Sequence, residues 1–454
     1  MHSPAINDDQ NHAIEKPSLS GPSIDLNGKD VFDEDSASHQ IRYKTLSWQF
    51  VACLMVSEIV SNGLLSLPSA LAVVGIVPAL VLIIFLGLFG LFTAKLLIDF
   101  KSNHPGVHNM GDAGLLMWDS LAREVLSAGT IIFAISGTGS LLLTGQQALS
   151  TLSDSRICSV YWVIICGVVT LTISLPRTLN RLTWLAFVSG FTITLSGVVA
   201  MIGAAMNPVS GRILDVTIQT NFYEAFLAVT NPVFAYAGHF IFFILISEMR
   251  RPQDAMKAAC CLQGFATTFY VVFSIVMYAY IGNGVQSPAL LSLPPNWAKA
   301  SFAIALVNFL ITGGILIHTA AKTLFIRLFR RSSHLYSHTI LGWAVWCALC
   351  FTGVFIAVLF AVAVPIFSYL IGISASLFAA WYTYGLAGFF WIHDTYHLKG
   401  GSAAFWKRPF GTALAMLTVL AGAFICIAGT YVSIKLIADA YAAGLVGKPF
   451  SCSS

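Results

Sequence analysis

The chain has 454 residues, 57% of them hydrophobic and 10% charged, with a formal net charge of +4. Soluble domains carry about 25% charged residues, so the composition excludes an ordinary soluble globular protein, and so small a net charge gives no footing for nucleic acid. The nine cysteines lie mostly within apolar runs (Cys53, Cys166, Cys260, Cys261, Cys347, Cys350, Cys426) and read as buried helical thiols; Cys347 and Cys350 have the C-x-x-C spacing, but no second pair or nearby histidine completes a zinc site.

Residues 1–46 are polar and hold eight acidic side chains (Asp8, Asp9, Glu15, Asp25, Asp30, Asp33, Glu34, Asp35). Such a segment has too little apolar surface to fold alone. No basic stretch precedes an apolar core, so it reads as a disordered cytosolic tail and not as a cleaved signal peptide. Lys16 and Lys29 offer positions that trafficking machinery could modify, although a plain solvated tail is the simpler reading.

From Trp48 onward, apolar runs of about twenty residues recur, each long enough to cross a hydrocarbon core of about 30 Å. Eleven membrane spans are expected, over 48–73, 75–99, 124–149, 157–175, 183–206, 224–247, 258–281, 299–321, 338–362, 364–392 and 410–434. The first two are joined almost directly, as in a helical hairpin. With a cytosolic N-terminus, 19 of the 24 Lys and Arg fall on cytosolic segments, and only Arg156, Arg212, Lys299, Lys435 and Lys448 fall on the far side. That bias is what the positive-inside rule requires, and an odd number of spans leaves the tail 435–454 extracytosolic.

Two spans carry features that an ordinary membrane helix lacks. In the first, Glu58 stands ten residues in, at a depth of about 15 Å, followed by Ser61-Asn62-Gly63 and Pro68. Proline cannot donate the next helical hydrogen bond, and glycine eases departure from helical geometry. The sixth span repeats the pattern with Asn231-Pro232 and Gly238. Each is expected to form two half-helices around an unwound piece. Spans one to five (47–206) and six to ten (224–392) would then be two repeats of opposite orientation, and span eleven (410–434) an addition. The only ionisable residues expected in the central part of any span are Glu58 and His239, since Glu124, His318, Lys322 and His393 fall near the expected ends. An intramembrane ionisable residue is costly and marks function.

The start of a second half-helix offers free N–H groups and a positive dipole end, which suit a carboxylate. The end of a first half-helix offers carbonyls, around Ile59–Asn62 and Thr230–Phe234, which suit an ammonium group or a cation. Together they describe the backbone of an amino acid, held by Ser61, Asn62, Gly63, Leu64 and Leu65 from the first span and by Phe234, Ala235, Tyr236, Ala237 and Gly238 from the sixth. Phe234 and Tyr236 would line an uncharged pocket for bulky neutral side chains. The Ser136–Ser140 stretch of span three, SGTGS, reads as close helix packing more than ligand contact. A desolvated carboxyl at Glu58 could carry a coupling proton, and the imidazole of His239 is a second candidate. Sodium stays open as an alternative, with carbonyls and the Ser57 or Ser61 hydroxyl as ligands.

At these residues the chain resembles the amino acid/auxin permease family, and within it the fungal neutral amino acid permeases. The resemblance is carried by Asn62-Gly63-Leu64-Leu65-Ser66-Leu67-Pro68-Ser69-Ala70, by Phe234-Ala235-Tyr236, by Glu248-Met249-Arg250-Arg251-Pro252 and by Tyr280-Ile281-Gly282 with Val285, Ser287 and Leu290–Leu293 after it. It covers about 45 to 430. It implies an all-α polytopic fold of the leucine-transporter type: a five-plus-five inverted repeat with helices one and six broken, plus an eleventh helix. It also implies secondary active amino acid transport, generally proton-coupled in fungal and plant members, with substrate at the two breaks. Sodium-coupled relatives tend to have an amide where this chain has Ser57. Glu58 is not general in the family, so its role rests on its depth.

The expected function is proton-coupled import of neutral, large or aromatic amino acids at the plasma membrane, with no enzymatic activity and no cofactor. A vacuolar exporter of the same fold and a non-transporting amino acid sensor are the alternatives. The short loops and short tail count against the sensor, and no His-box, nucleophile elbow or acidic metal cluster points to a membrane enzyme.

Overall fold

The computed structural model describes residues 44–177, 179–329, 332–364 and 366–444. Of the tail expected over 1–46, residues 1–43 with Lys16 and Lys29 lie outside the described residues, as do the last ten residues of the chain. Among the described residues ten helices are long and apolar enough to cross a membrane, and the 16-residue apolar helix Ser159–Ser174, counted here as span four, is shorter than the rest; in order the spans are Trp48–Val74, Ile76–Asn103, Ser120–Leu152, Ser159–Ser174, Leu179–Met206, Phe222–Ser247, Pro252–Gly284, Pro295–Phe329, Ile340–Ala363, Phe367–Lys399 and Pro409–Ala442. No β-sheet occurs among the described residues, only an isolated parallel bridge between Leu46 and Met249.

Several span starts are written in the polar residue just before them. Asp119 accepts from Ala122 N–H at 2.9 Å, Asn221 from Glu224 N–H at 2.9 Å and the Thr339 hydroxyl from Gly342 N–H at 3.1 Å. Each satisfies a donor that the first helical turn leaves without a partner. Asn109 does the same for a short helix, Met110–Met117, that the sequence reading did not foresee.

Several expected ends fall short of the observed ones, as in span ten, which reaches Lys399 and not 392, and in two the difference moves a cationic residue into a helix. The eighth span has 35 residues and reaches Phe329, not 321. His318 and Lys322 therefore lie inside it, both buried, and Lys322 forms an ion pair with Glu248 at the end of span six. An end at 321 would leave both outside the central part of the span. The eleventh span runs to Ala442, which puts Lys435 in a helix and not in a tail. In both cases a cationic residue near the end of an apolar run was read as its boundary, although long basic side chains are tolerated in the last turns of a membrane helix.

Burial sorts the spans. In their apolar centres, 78% of the residues of spans one and ten and 83% of span six are buried, against 22% for span eleven. The two broken spans are therefore at the middle of the bundle, and the eleventh lies at its edge, packed mainly against the tenth.

Both ends of the broken pair are closed by main-chain bonds. At the N-terminal end, Leu46 N–H donates to Glu248 O at 3.0 Å and Arg250 N–H to Leu46 O at 2.8 Å. At the opposite end, Ile76 N–H donates to Asp215 O at 3.1 Å and Ile218 N–H to Val74 O at 3.1 Å. The hairpin link depends on Gly75, whose φ of +91° few side chains tolerate and where a Cβ would lie 2.5 Å from Thr217 Cα.

Candidate functional site

The first span is helical from Trp48 to Ile59, passes through a 3-10 segment at Asn62–Ser66 and resumes over Leu67–Val74. Pro68 sits in the opening turn of the second half, where a missing N–H costs nothing. The unwinding thus lies ahead of the proline, at Val60 and Ser61. Ser61 N–H, which a continuing helix would aim at Ser57 O, bonds Ile59 O at 3.0 Å instead.

In the sixth span the break is displaced from its expected place. The helix runs through Pro232 to Ala235, and the interruption falls at Tyr236–Gly238, before a 3-10 turn at His239–Ile241 and a second helix over Phe242–Ser247. Proline removes one donor, but its fixed φ is compatible with a helix. The turn closes beyond it, with Tyr236 N–H on Pro232 O at 3.2 Å and Ala237 N–H on Phe234 O at 3.0 Å. The carbonyl turned to another span here is that of Ala235, one residue past the Thr230–Phe234 stretch expected to provide them.

The two breaks touch. A Cβ on Gly63 would lie 2.8 Å from Ala235 Cα, so only glycine permits this approach. Gly238 packs on the Ile59 side chain. The Tyr270 hydroxyl, from span seven, lies 2.7 Å from both Ile59 O and Ala235 O, one carbonyl from each break.

Beside this contact lies a cavity of about 40 Å³. One water-sized sphere takes about 10–15 Å³ by the same measure, so the space is smaller than a large side chain. Glu58, Asn62 and Gly63 line it from span one, and Phe234 and Ala237 from span six. Ile59 of span one, Phe133, Gly137 and Leu141 of span three, Phe240 of span six, and Thr312 and Leu316 of span eight complete the lining. The Phe133 ring stands edge-on to Phe240 at 4.9 Å and to Phe234 at 6.4 Å. The Glu58 oxygen Oε2 is buried with no hydrogen-bond partner.

Other expected site residues serve the wall from behind. Ser61 donates to Asn308 Oδ1 at 2.6 Å and Asn62 to Ser140 Oγ at 2.7 Å, the latter giving the SGTGS stretch a direct bond to the break. Leu64 and Leu65 are fully buried in the apolar core. Tyr236 turns its hydroxyl to Thr267 at 3.2 Å. His239 takes no part in lining the cavity: its Nε2 donates to Gly90 O at 2.9 Å and its ring stacks on Phe242 at 4.7 Å. Sequence reasoning missed Phe133, Tyr270, Asn308 and Thr312. A search for charged groups passes over amides and hydroxyls. The available signal for Asn308 was an amide in the middle of the apolar run from Ile304 to Ile311.

The family described as transmembrane amino acid transporter protein matches residues 44–435. An N amino acid transport system protein of Neurospora crassa is 30% identical over 94% of this chain and 93% of its own length. A transmembrane transporter of Gibberella moniliformis is 29% identical over 94% of this chain and 90% of its own. Among solved structures, a Na+-coupled sialic acid symporter superposes with a TM-score of 0.54 at 11% identity, covering 87% of this chain and 91% of that one. At that identity the likeness speaks to the fold alone, which is of the leucine-transporter type.

Proposed function

The chain belongs to the transmembrane amino acid transporter family, and from that premise we propose that it imports neutral amino acids with large or aromatic side chains, driven by protons, across the plasma membrane. The observation that carries this reading is the cavity where two broken spans meet. One wall has an unpartnered carboxylate oxygen and unwound main chain, and the other has aromatic rings. Main-chain dipoles at Asn62–Ser66 suit the substrate carboxylate, and Phe133, Phe234 and Phe240 suit an uncharged, bulky side chain. The kinship with the Neurospora crassa amino acid transport protein supports the substrate class.

Glu58 is the proposed proton carrier. It lines the cavity, so its protonation and the occupancy of the cavity sense each other directly. His239, bonded to span two away from the cavity, is the weaker candidate. Spans one and six, which would open the two proposed repeats at 47–206 and 224–392, run antiparallel: Leu46, just ahead of span one, bonds the end of span six, and Val74 and Ile76 bond Ile218 and Asp215, in the segment leading into span six. This supports the inverted repeat and alternating access by rocking one half against the other. A cytosolic N-terminus is supported by the charge bias.

Radiolabelled uptake of an amino acid panel into proteoliposomes, with and without an inward proton gradient, tests the reading. Concentrative uptake of large neutral amino acids that collapses with the gradient is expected. Gradient-independent equilibration, or preference for charged amino acids, would overturn it. Localising a tagged copy separates import at the cell surface from export at a vacuole.

A further inference from the structure

Unwinding of span one releases the carbonyl of Ser57, and that carbonyl turns to spans five and eight. Around the amide nitrogen Nδ2 of Asn308 stand four oxygens: Ser189 Oγ at 2.7 Å, Thr312 Oγ1 at 3.2 Å, Ser189 O at 3.3 Å and Ser57 O at 3.4 Å. Two are main-chain carbonyls, which only accept, so the N–H₂ end of the amide must face them. The other end agrees, because Asn308 Oδ1 accepts from Ser61 Oγ at 2.6 Å. Thr312 also donates to Ser57 O at 2.9 Å, and its hydroxyl lies 3.1 Å from that of Ser189. Ser57, Ser61, Ser189, Asn308 and Thr312 are all buried.

Carbonyl and hydroxyl oxygens that converge from three helices on one point form the kind of donor set a hard cation takes. Here a neutral amide with two N–H donors stands at the point. We propose that Asn308 is a built-in substitute for a cation: its amide satisfies the oxygen cluster and ties the unwound first span to spans five and eight, so that neither the fold nor transport requires sodium. Asn308 is a positioning residue, since its amide holds the Ser57–Ser61 stretch immediately before the cavity-lining Asn62 and Gly63. The inference rests on the transport reading for its functional half only, because the tie itself is a property of the folded protein.

The isosteric change Asn308→Asp tests it. The shape is kept and both donors are lost, leaving oxygens facing oxygens. Melting temperature is measured on the purified full-length protein at constant ionic strength while sodium replaces choline, and uptake is measured in the same two salts. The wild type is expected to show no sodium-dependent shift. Asn308→Asp is expected to gain a saturable rise on the order of 2 °C and, in choline, to lose uptake about tenfold, with sodium restoring part of it. A saturable sodium shift in the wild type would overturn the proposal whatever the variant does. So would an aspartate variant that matches the wild type in both salts. Melting needs no substrate, so failure of the amino acid uptake assay and failure of the amide tie are read separately.

Discussion

The first and sixth spans are interrupted where they face one another, yet the residues around the two interruptions have little in common. Around the first stand a carboxyl, two hydroxyls and an amide: Glu58, Ser57, Ser61 and Asn62. Ser61 is bonded to Asn308 of span eight and Asn62 to Ser140 of span three. Around the sixth stand Phe234, Ala235, Tyr236 and Ala237, packed among Phe133, Phe240 and Tyr270. The backbone device is shared, but the side chains divide the labour. The polar break is anchored to its neighbours and sets its ionisable group, Glu58, at the cavity, while the aromatic break shapes the space in front of it and turns its own ionisable group, His239, away to span two.

Substitutions can break this division or sharpen it. The largest effect is expected at Gly63, where the two breaks touch. Gly63→Val forces side-chain atoms into Ala235, an overpacking of about 1–3 kcal/mol, and uptake should fall about tenfold to a hundredfold while the protein still reaches the membrane. Normal uptake would remove the site from this contact. Glu58→Gln should flatten the dependence of uptake on external pH; a profile identical to wild type would clear Glu58 of coupling and leave the polar break with an anchoring role only.

Tyr270→Phe removes the hydroxyl that serves one carbonyl of each break. Leaving a buried acceptor without its donor costs about 1–3 kcal/mol, so a lowered melting temperature and a several-fold loss of uptake are expected. An unchanged melting temperature would mean that the breaks hold together without this bridge. The smallest effect on rate is expected from Phe234→Leu, which alters the wall and leaves the main chain alone. Competition by aromatic amino acids should weaken relative to aliphatic ones by about tenfold, the scale on which apolar pockets discriminate. An unaltered competition profile would place side-chain selection away from the aromatic break.

Much of the fold was legible in the chain itself. Apolar length identified the spans, and Asp119, Asn221 and Thr339 mark the starts of three of them. The lining of the candidate cavity was legible in part. Glu58, Asn62, Gly63, Phe234 and Ala237 could be named because a carboxyl and a small-polar break are out of place in an apolar helix, and because a second break follows five spans later. Phe133 could not be singled out, since phenylalanine is ordinary in a membrane helix and only its neighbours give it meaning. The displaced break at Tyr236–Gly238 shows the same limit: proline weakens a helix over several residues, and the hydrogen bonds that close the turn choose where it opens.

The sequence by itself determined that the chain crosses a membrane many times and that spans one and six differ from the rest, because desolvating charge and losing helical hydrogen bonds are local costs carried by named residues. Only the tertiary structure decided which side chains face the cavity, that His239 turns to span two, and that Asn308 sits among the oxygens of spans one, five and eight. Those outcomes depend on which faces of distant helices meet. A helix in lipid has apolar residues on every side, so its periodicity does not say which face turns inward.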